Sequence, residues 1–344
     1  MSKVLVTGGA GFIGSNLCRK LLEAGHKVIA VDNLITGDRR NLKELNSHPN
    51  FRFIKHDITE PWPQTLNSQL SSLHSIYHLA CPTGVPNLGP LSEEMITTCS
   101  VGTRNILEIA RESGAKFLFT SSSEVYGDPL TFPQEESYRG NVDTTGLRSP
   151  YEEGKRFAES LILMFVRKYN VDAKIVRVFN TYGPSMSPKD IRVIPNFLRQ
   201  ASSNLPITLH GKGNQKRTFC HVDDLVSGLV LVIKKGEKGQ VYNLGHDLEI
   251  SIIDLAGLIL KITGSKSPIQ PFPRPGHDHE RRLPSLVKTK QLGWYPKINL
   301  EEGLKTTINV LDTERLTYLE RSKESGARWP NWARLPFLQN STQS

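Results

Sequence analysis

The chain has 344 residues, 38% of them hydrophobic and 22% charged, and carries a formal net charge of +9. This is the balance of a soluble globular protein, with room for a large core in one large domain or two coupled ones. No apolar run reaches the roughly 20 residues that span a bilayer, and Lys and Arg are spread without a basic block or interleaved aromatics, so the charge points to phosphate-bearing small molecules rather than to nucleic acid or a membrane.

In chain order, short apolar runs alternate with helical segments. "KVLVTG", "HKVIAVD", "FRFIKHD", "SIYHLA", "KFLFTSS", "AKIVRVFN" and "QVYNLG" read as buried strands, rich in Val, Ile and Phe and ended by turn or polar residues. Between them, "GSNLCRKLLEAG" and "VGTRNILEIARESG" read as helices. The alternation predicts an α/β fold, a Rossmann-type doubly wound parallel sheet with helices on both faces. After about residue 182 the pattern loosens and proline becomes frequent, as in "SPIQPFPRPGHD". A smaller C-terminal domain interleaved with the last strands is expected. Residues 1–181 and 219–250 would form the nucleotide-binding domain, 182–218 and 251–325 the substrate domain, and 326–344 a polar tail with Trp329 and Trp332.

The opening "MSKVLVTGGAGFIGS" is broken by glycines too early for a signal peptide. Cys18, Cys81, Cys99 and Cys220 form no CxxC pair, which fits a reduced, cytoplasmic setting. "HDH" at His277 to His279 reads as a polar loop, and no metal site is expected.

"TGGAGFIG", Thr7 to Gly14, follows the first strand and opens the first helix. Gly8, Gly11 and Gly14 allow the tight turn and the close approach of backbone to pyrophosphate, which the helix N-terminus then attracts. The second strand ends in Asp32, at the distance expected for an acceptor of ribose hydroxyls, and a carboxylate there favours NAD over NADP. The basic pair Arg39 and Arg40 in the next loop pulls the other way. "SPYEEGK" begins a further helix, so Tyr151 and Lys155 share a face. The ammonium, together with the positive nicotinamide ring of a bound NAD, is expected to lower the phenol's pKa and make it a usable acid–base group.

With these motifs, "TSSSEVYGDP", "RSPYEEGKRFAE", "RVFNTYGP", "RTFCHVDDLVSGL" and "LGWYPK" resemble the extended short-chain dehydrogenase/reductase superfamily. Within it they are similar to the UDP-glucuronate decarboxylase (UDP-xylose synthase) group. The resemblance runs from about residue 3 to about residue 312. It implies that Tyr151 is the proton-transferring base and that Lys155 binds the nicotinamide ribose. Ser122 or Ser123, with Glu124, would line the sugar pocket. Phe12, Ile13, Asn33 and Ala80 would join the glycines around NAD, with Asp57 and Ile58 beside the adenine. Asn180 and Arg217 would hold the diphosphate region, and Arg192 and Arg282 would bind substrate. Two stretches depart from the group and bear on substrate choice. Val85, Pro86 and Asn87 stand where the group brings a tyrosine toward the sugar, and Pro284 is followed by Ser285 instead of an aspartate.

The implied reaction oxidises a UDP-glucuronate at C4, loses carbon dioxide from the resulting β-keto acid, and returns the hydride, so that bound NAD is recycled. The alternatives are a uronate 4-epimerase, a 4,6-dehydratase, and an inactive NAD-binding regulatory protein. A dehydratase would carry an Asp–Glu pair at 123 and 124, where this chain has Ser123 and Glu124. The apolar "LILMF" in the helix after Tyr151 exceeds one buried stripe, and the resemblance implies a homodimer through this helix, by which the family often pairs.

Overall fold

The apolar runs singled out above all become strands. The protein is described by a computed structural model over residues 1–63, 70, 72–187, 190–273 and 281–308. The expected polar tail and the "HDH" triplet lie outside these residues. The first six strands are β1 (Lys3–Thr7), β2 (Lys27–Asp32), β3 (Phe51–Lys55), β4 (Ser75–His78), β5 (Lys116–Ser122) and β6 (Ala173–Val178). Four short strands follow: β7 (Thr181–Tyr182), β8 (Ile207–His210), β9 (Lys216–Thr218) and β10 (Cys220–His221). Then comes β11 (Val241–Leu244), which returns to the main sheet. The sheet order is β3-β2-β1-β4-β5-β6-β11, every pair parallel, and it reverses direction between β1 and β4.

Helices cover both faces because the strand side chains alternate. On one face Val4, Val6 and Val28 pack with Leu17 and Leu21 of α1 (Phe12–Glu23). On the other, Leu5, Ile29 and Phe117 pack with a second group of helices. There α2 (Ser92–Thr97) runs through a π turn (Thr98–Gly102) into α3 (Thr103–Ser113), and α4 (Ser149–Tyr169) lies alongside. Each fully buried Leu, Ile or Phe stabilises the fold by about 1.5–3 kcal/mol, so the sheet is a stiff plane from which strand-end loops project. Pro150 in the first turn suits the start of α4, and Asn170 in the left-handed region ends it.

A third apolar cluster sits apart from the sheet. It joins Phe197 and Leu198 of α5 (Val193–Ser202) to Leu255 and Ile259 of α7 (Ile252–Thr263), with Ile207 and Leu209 of β8. Between them in sequence, α6 (Val222–Lys235) packs against the first cluster. Strand β12 (Glu249–Ser251) pairs antiparallel with β9, and β13 (Ile269–Phe272) pairs parallel with β8. Farther along, Leu286 and Trp294, flanking α8 (Val287–Gln291), pack back into the first cluster beneath the sheet. No described helix is long and apolar enough to cross a membrane.

Candidate active site

A cavity of about 720 Å³ opens at the C-terminal ends of the strands, where the order reverses. The turn after β1 forms its floor. Gly8 has φ +72°, and its amide donates to the Val31 carbonyl at 2.8 Å. A Cβ at Gly14 would stand 2.0 Å from the Gly8 carbonyl oxygen, so only glycine lets α1 start this close to the loop. Gly11 caps α1 with no side chain, and no acidic residue occupies the first turn. The first amides of the helix, at Phe12 and Ile13 on the cavity wall, are thus left for an anion. This cradle fits the pyrophosphate of a dinucleotide.

At the end of β2, Asp32 is buried with its carboxylate held in one plane. Oδ2 accepts from the Ala10 amide at 3.0 Å and Oδ1 from the Leu34 amide at 2.8 Å. Burial raises its pKa above the usual carboxylate value, and the two amides partly oppose that. A carboxylate has about four acceptor sites, so two remain for hydroxyls. A Cβ at Gly37 would press to 2.6 Å from Oδ1, which makes that loop position glycine by necessity. The two basic residues beyond it separate: Arg40 bonds Asp38 at 2.5 Å, and Arg39 lies over the Phe53 ring. Asn33 donates to Asp57 at 2.7 Å, and Ile58 lies beside them. Burial alone would raise the Asp57 carboxyl, but bonds from Thr59 and Asn33 outweigh it and hold the group below its usual value.

Across the cavity, the first turns of α4 face the end of β5. Lys155 is 2% exposed, and its Nζ donates to the Thr120 carbonyl at 2.8 Å. It lies 4.6 Å from the Phe119 ring centroid and 6.0 Å from that of Tyr151. Ser122 stands with Tyr151 on the cavity wall and helps to lower its phenol. Lys155 lowers the phenol as expected, but without the nicotinamide charge that the expectation also invokes it does not prevail. Burial pushes the phenol up to about 12, against the pull of Lys155 and Ser122. One ammonium does not overcome the desolvation of a phenolate here, so further positive charge is needed to make Tyr151 a base at neutral pH.

Beside Tyr151, a 3-10 turn after β5 presents Ser123 and Glu124. Arg282 is 4% exposed and grips Glu124 with both guanidinium ends, one of them at 2.9 Å, while also reaching the Ser123 hydroxyl at 3.4 Å. Arg148, the residue before α4, bonds Glu124 from the other side and donates to Glu152 at 3.1 Å. Burial favours a protonated Glu124, but Arg282 and Arg148 outweigh it and hold its carboxyl far below the usual range. Arg282 reaches this place through Gln134, which is fully buried. The Gln134 amide donates to the Leu283 carbonyl at 2.7 Å, and the Gln134 carbonyl accepts from the Ser285 amide at 2.8 Å. The Gln134 side-chain oxygen accepts from the Leu283 amide at 2.9 Å.

Ala80 and Asn180 also face the cavity, as do Val85, Pro86 and Asn87, the departing segment. Arg192 does too, paired with Asp190 at 2.6 Å. Arg217 does not. It lies half-buried on β9, and its Nη1 donates to the Lys216 carbonyl at 2.9 Å. Sequence reasoning missed Arg148. The available signal was a cation at the positive end of a helix, an unfavourable placement without an anionic partner. It also missed Cys81, on the cavity wall, and the π turn that brings Thr98 there.

A model of the NAD dependent epimerase/dehydratase family matches residues 4–245. UDP-glucuronic acid decarboxylase 1 of Arabidopsis thaliana is 43% identical over 308 residues, 89% of this chain and 69% of the relative. Among solved structures, UDP-glucose 4-epimerase from Thermotoga maritima with UDP-glucose superposes with a TM-score of 0.83 at 30% identity, covering 91% of this chain and 99% of that one. UDP-glucuronic acid 4-epimerase from Bacillus cereus, in complex with UDP-glucuronic acid and NAD, gives 0.82 at 27% identity with the same coverage. The glycine turn, the acidic end of β2 and the Tyr151–Lys155 pair all fall inside the matched region, and the chain belongs to the NAD-dependent epimerase/dehydratase family.

Proposed function

We propose that the protein decarboxylates UDP-glucuronate to UDP-xylose, with NAD held throughout. NAD supplies a hydride acceptor at C4 of the sugar and later returns the hydride, so none is consumed. Gly8, Gly11, Gly14 and the start of α1 hold its pyrophosphate, and Asp32 holds the adenosine ribose. Lys155, anchored on the Thr120 carbonyl, holds the nicotinamide ribose and keeps positive charge beside Tyr151. The added charge of the oxidised nicotinamide offsets the burial that raises the phenol. Tyr151 then takes the proton of the C4 hydroxyl, with Ser122 orienting the phenolic oxygen.

One observation separates decarboxylation from dehydration: Glu124 is clamped between Arg148 and Arg282. A carboxylate held ionised has no proton to give to a leaving hydroxyl, and Ser123 titrates far too high to serve. Elimination of water from C6 needs such a donor. Loss of carbon dioxide from a β-keto acid does not, because the electrons flow into the ketone. The same guanidiniums suit a substrate that brings its own carboxylate. Relatives from Arabidopsis thaliana and Danio rerio at 41–44% identity, named UDP-glucuronic acid decarboxylases, support this reading.

The experiment is mass spectrometry of the product from UDP-glucuronate. A nucleotide sugar lighter by one carbon dioxide is expected. An isomer of unchanged mass would instead establish 4-epimerisation, the activity in the name of the Bacillus cereus structure. A product lighter by one water from UDP-glucose would overturn the argument from Glu124.

The chain is further proposed to act as a homodimer in the cytoplasm. Phe157 of α4 is 53% exposed, and Ile96 and Val101 on the adjoining α2 and π turn are each 47% exposed. Four free cysteines support a reducing compartment. Light scattering at micromolar concentration should report twice the chain mass, and cell fractionation should place the protein with soluble cytoplasmic markers.

A further inference from the structure

Two sulfurs at the active site have no part in this chemistry. Cys81, three residues past β4, lines the cavity next to Ala80. Cys99 lies in the π turn, 1% exposed, directly under α4: a Cβ at Gly154 would stand 3.3 Å from that of Cys99. The two Sγ atoms are 3.6 Å apart, and both thiols are free. A disulfide bond measures about 2.05 Å, so closure needs a shift of about 1.5 Å. The pair is chemically unequal. The bond with Cys99 lowers the Cys81 thiol to about 7 against its burial, and Lys155 adds to that; the same contact and burial raise Cys99. Cys81 is therefore the more readily ionised of the two and stands on the cavity wall, with the Cys99 thiol behind it.

We propose that Cys81 and Cys99 form an oxidisable dithiol, Cys81 attacking a peroxide and Cys99 closing a disulfide that shuts the active site down. In the first step the Cys81 thiolate attacks one peroxide oxygen. The O–O bond breaks, a sulfenic acid forms, and the second oxygen leaves as water after taking a proton. In the second step the Cys99 sulfur attacks the Cys81 sulfur. The S–O bond breaks, and hydroxide leaves with the Cys99 proton as a second water. Two thiols and one hydrogen peroxide give one disulfide and two waters. The linkage draws the wall segment at Cys81 to Gly84 toward the π turn and removes an anionic neighbour of Lys155. A displacement of about 1 Å in a reacting site is worth up to about 100-fold in rate, so turnover should fall by as much as about 100-fold. Only this last consequence rests on the proposed decarboxylase reading; the thiol chemistry does not.

The test uses the full reduced chain, with and without added NAD, treated with hydrogen peroxide. The expected result is an intact mass lower by two hydrogens, a peptide linking Cys81 to Cys99, and two of the four thiols lost to a thiol reagent. The buried Cys18 and Cys220 are the internal controls. Added NAD should slow the reaction by covering Cys81. In Cys99→Ser, oxidation should stop at a Cys81 sulfenic acid trapped by dimedone; Cys99→Ala serves if the serine variant does not fold. Cys81→Ser should yield no link. Turnover of UDP-glucuronate, relative to each sample's untreated rate, should fall with the disulfide and return with dithiothreitol. A link through Cys18 or Cys220, or no link at peroxide levels that oxidise a free thiol of similar pKa, overturns the pair. A Cys81–Cys99 disulfide with unchanged turnover overturns the switch. If the protein turns over no uronate at all, the mass and trapping results still decide the dithiol, and the decarboxylase reading fails separately.

Discussion

The two ends of the cavity are built from different materials. The cofactor end is mostly backbone: a glycine turn, the start of a helix and a carboxylate fixed by two amides. Its parts come from the first 58 residues and hang from three adjacent strands, β1, β2 and β3. The sugar end is a network of side chains in which Glu124 and Arg148 on the wall meet Arg282 and Glu152 buried behind it, from segments up to 158 residues apart. A backbone cradle tolerates little change in shape and much change in charge nearby. A side-chain network does the reverse, and choice of substrate resides there.

Replacing Tyr151 with Phe should cut the two ends apart most sharply. It removes the hydroxyl proposed to transfer the proton and touches nothing in the glycine turn. Turnover should drop by about 10²–10⁴-fold, while NAD affinity by fluorescence titration stays within about twofold. Turnover near the parent rate would remove Tyr151 from the mechanism.

Gly14→Ala attacks the backbone end. Its Cβ would collide with the Gly8 carbonyl, and overpacking of that kind costs about 1–3 kcal/mol. If the strain falls on the bound geometry, NAD should bind about 10–100-fold more weakly. Unchanged affinity would show that the cradle yields more easily than backbone should.

Arg282→Met attacks the side-chain end. It should raise the KM for UDP-glucuronate by about tenfold, the low end for a bond to a charged group, and leave NAD binding unaffected. It also takes from Glu124 the strongest force opposing its burial, so the Glu124 pKa rises. The acidic limb of the kcat/KM profile should therefore move to higher pH in the variant. A limb that stays in place would mean that Arg148 alone sets the charge of Glu124.

The smallest effect concerns stability. The folded pKa of Glu124 lies below its unfolded value of about 4.3. Its contribution is therefore fully present above that pH and is lost as the pH falls through the folded value. Between about pH 5 and pH 3, Glu124→Gln should lose less stability than the parent, read as urea midpoints. Parallel curves would mean that the carboxylate keeps its partners in the unfolded chain.

The same contrast decides what could be read from the sequence. The seven strands were legible because buried parallel strands are continuous apolar runs, and the glycine turn because its spacing is imposed by backbone geometry. Tyr151 and Lys155 were legible because helical periodicity places them together. Arg148 was not, since an arginine before a helix acquires meaning only once Glu124 is beside it. Arg217 was assigned from a motif, and its strand carries it away from the cavity wall. How far the Tyr151 phenol stands above its usual value without the cofactor was not legible for a related reason. A neighbouring lysine is visible in a sequence, but the burial that outweighs it is a property of the assembled fold.

The clasp at Gln134 has a consequence in time. Leu283 reaches it across a separation of 149 residues, and the residue before it, Arg282, bonds Glu124. Contacts of such long range form late, because the intervening chain must first be ordered. The glycine turn and Asp32 lie within the first 32 residues, but α1 packs in one cluster with residues as late as Leu286 and Trp294. Both ends of the cavity therefore wait on the last part of the chain, and the clasp is one of several late closures on which the finished pocket depends.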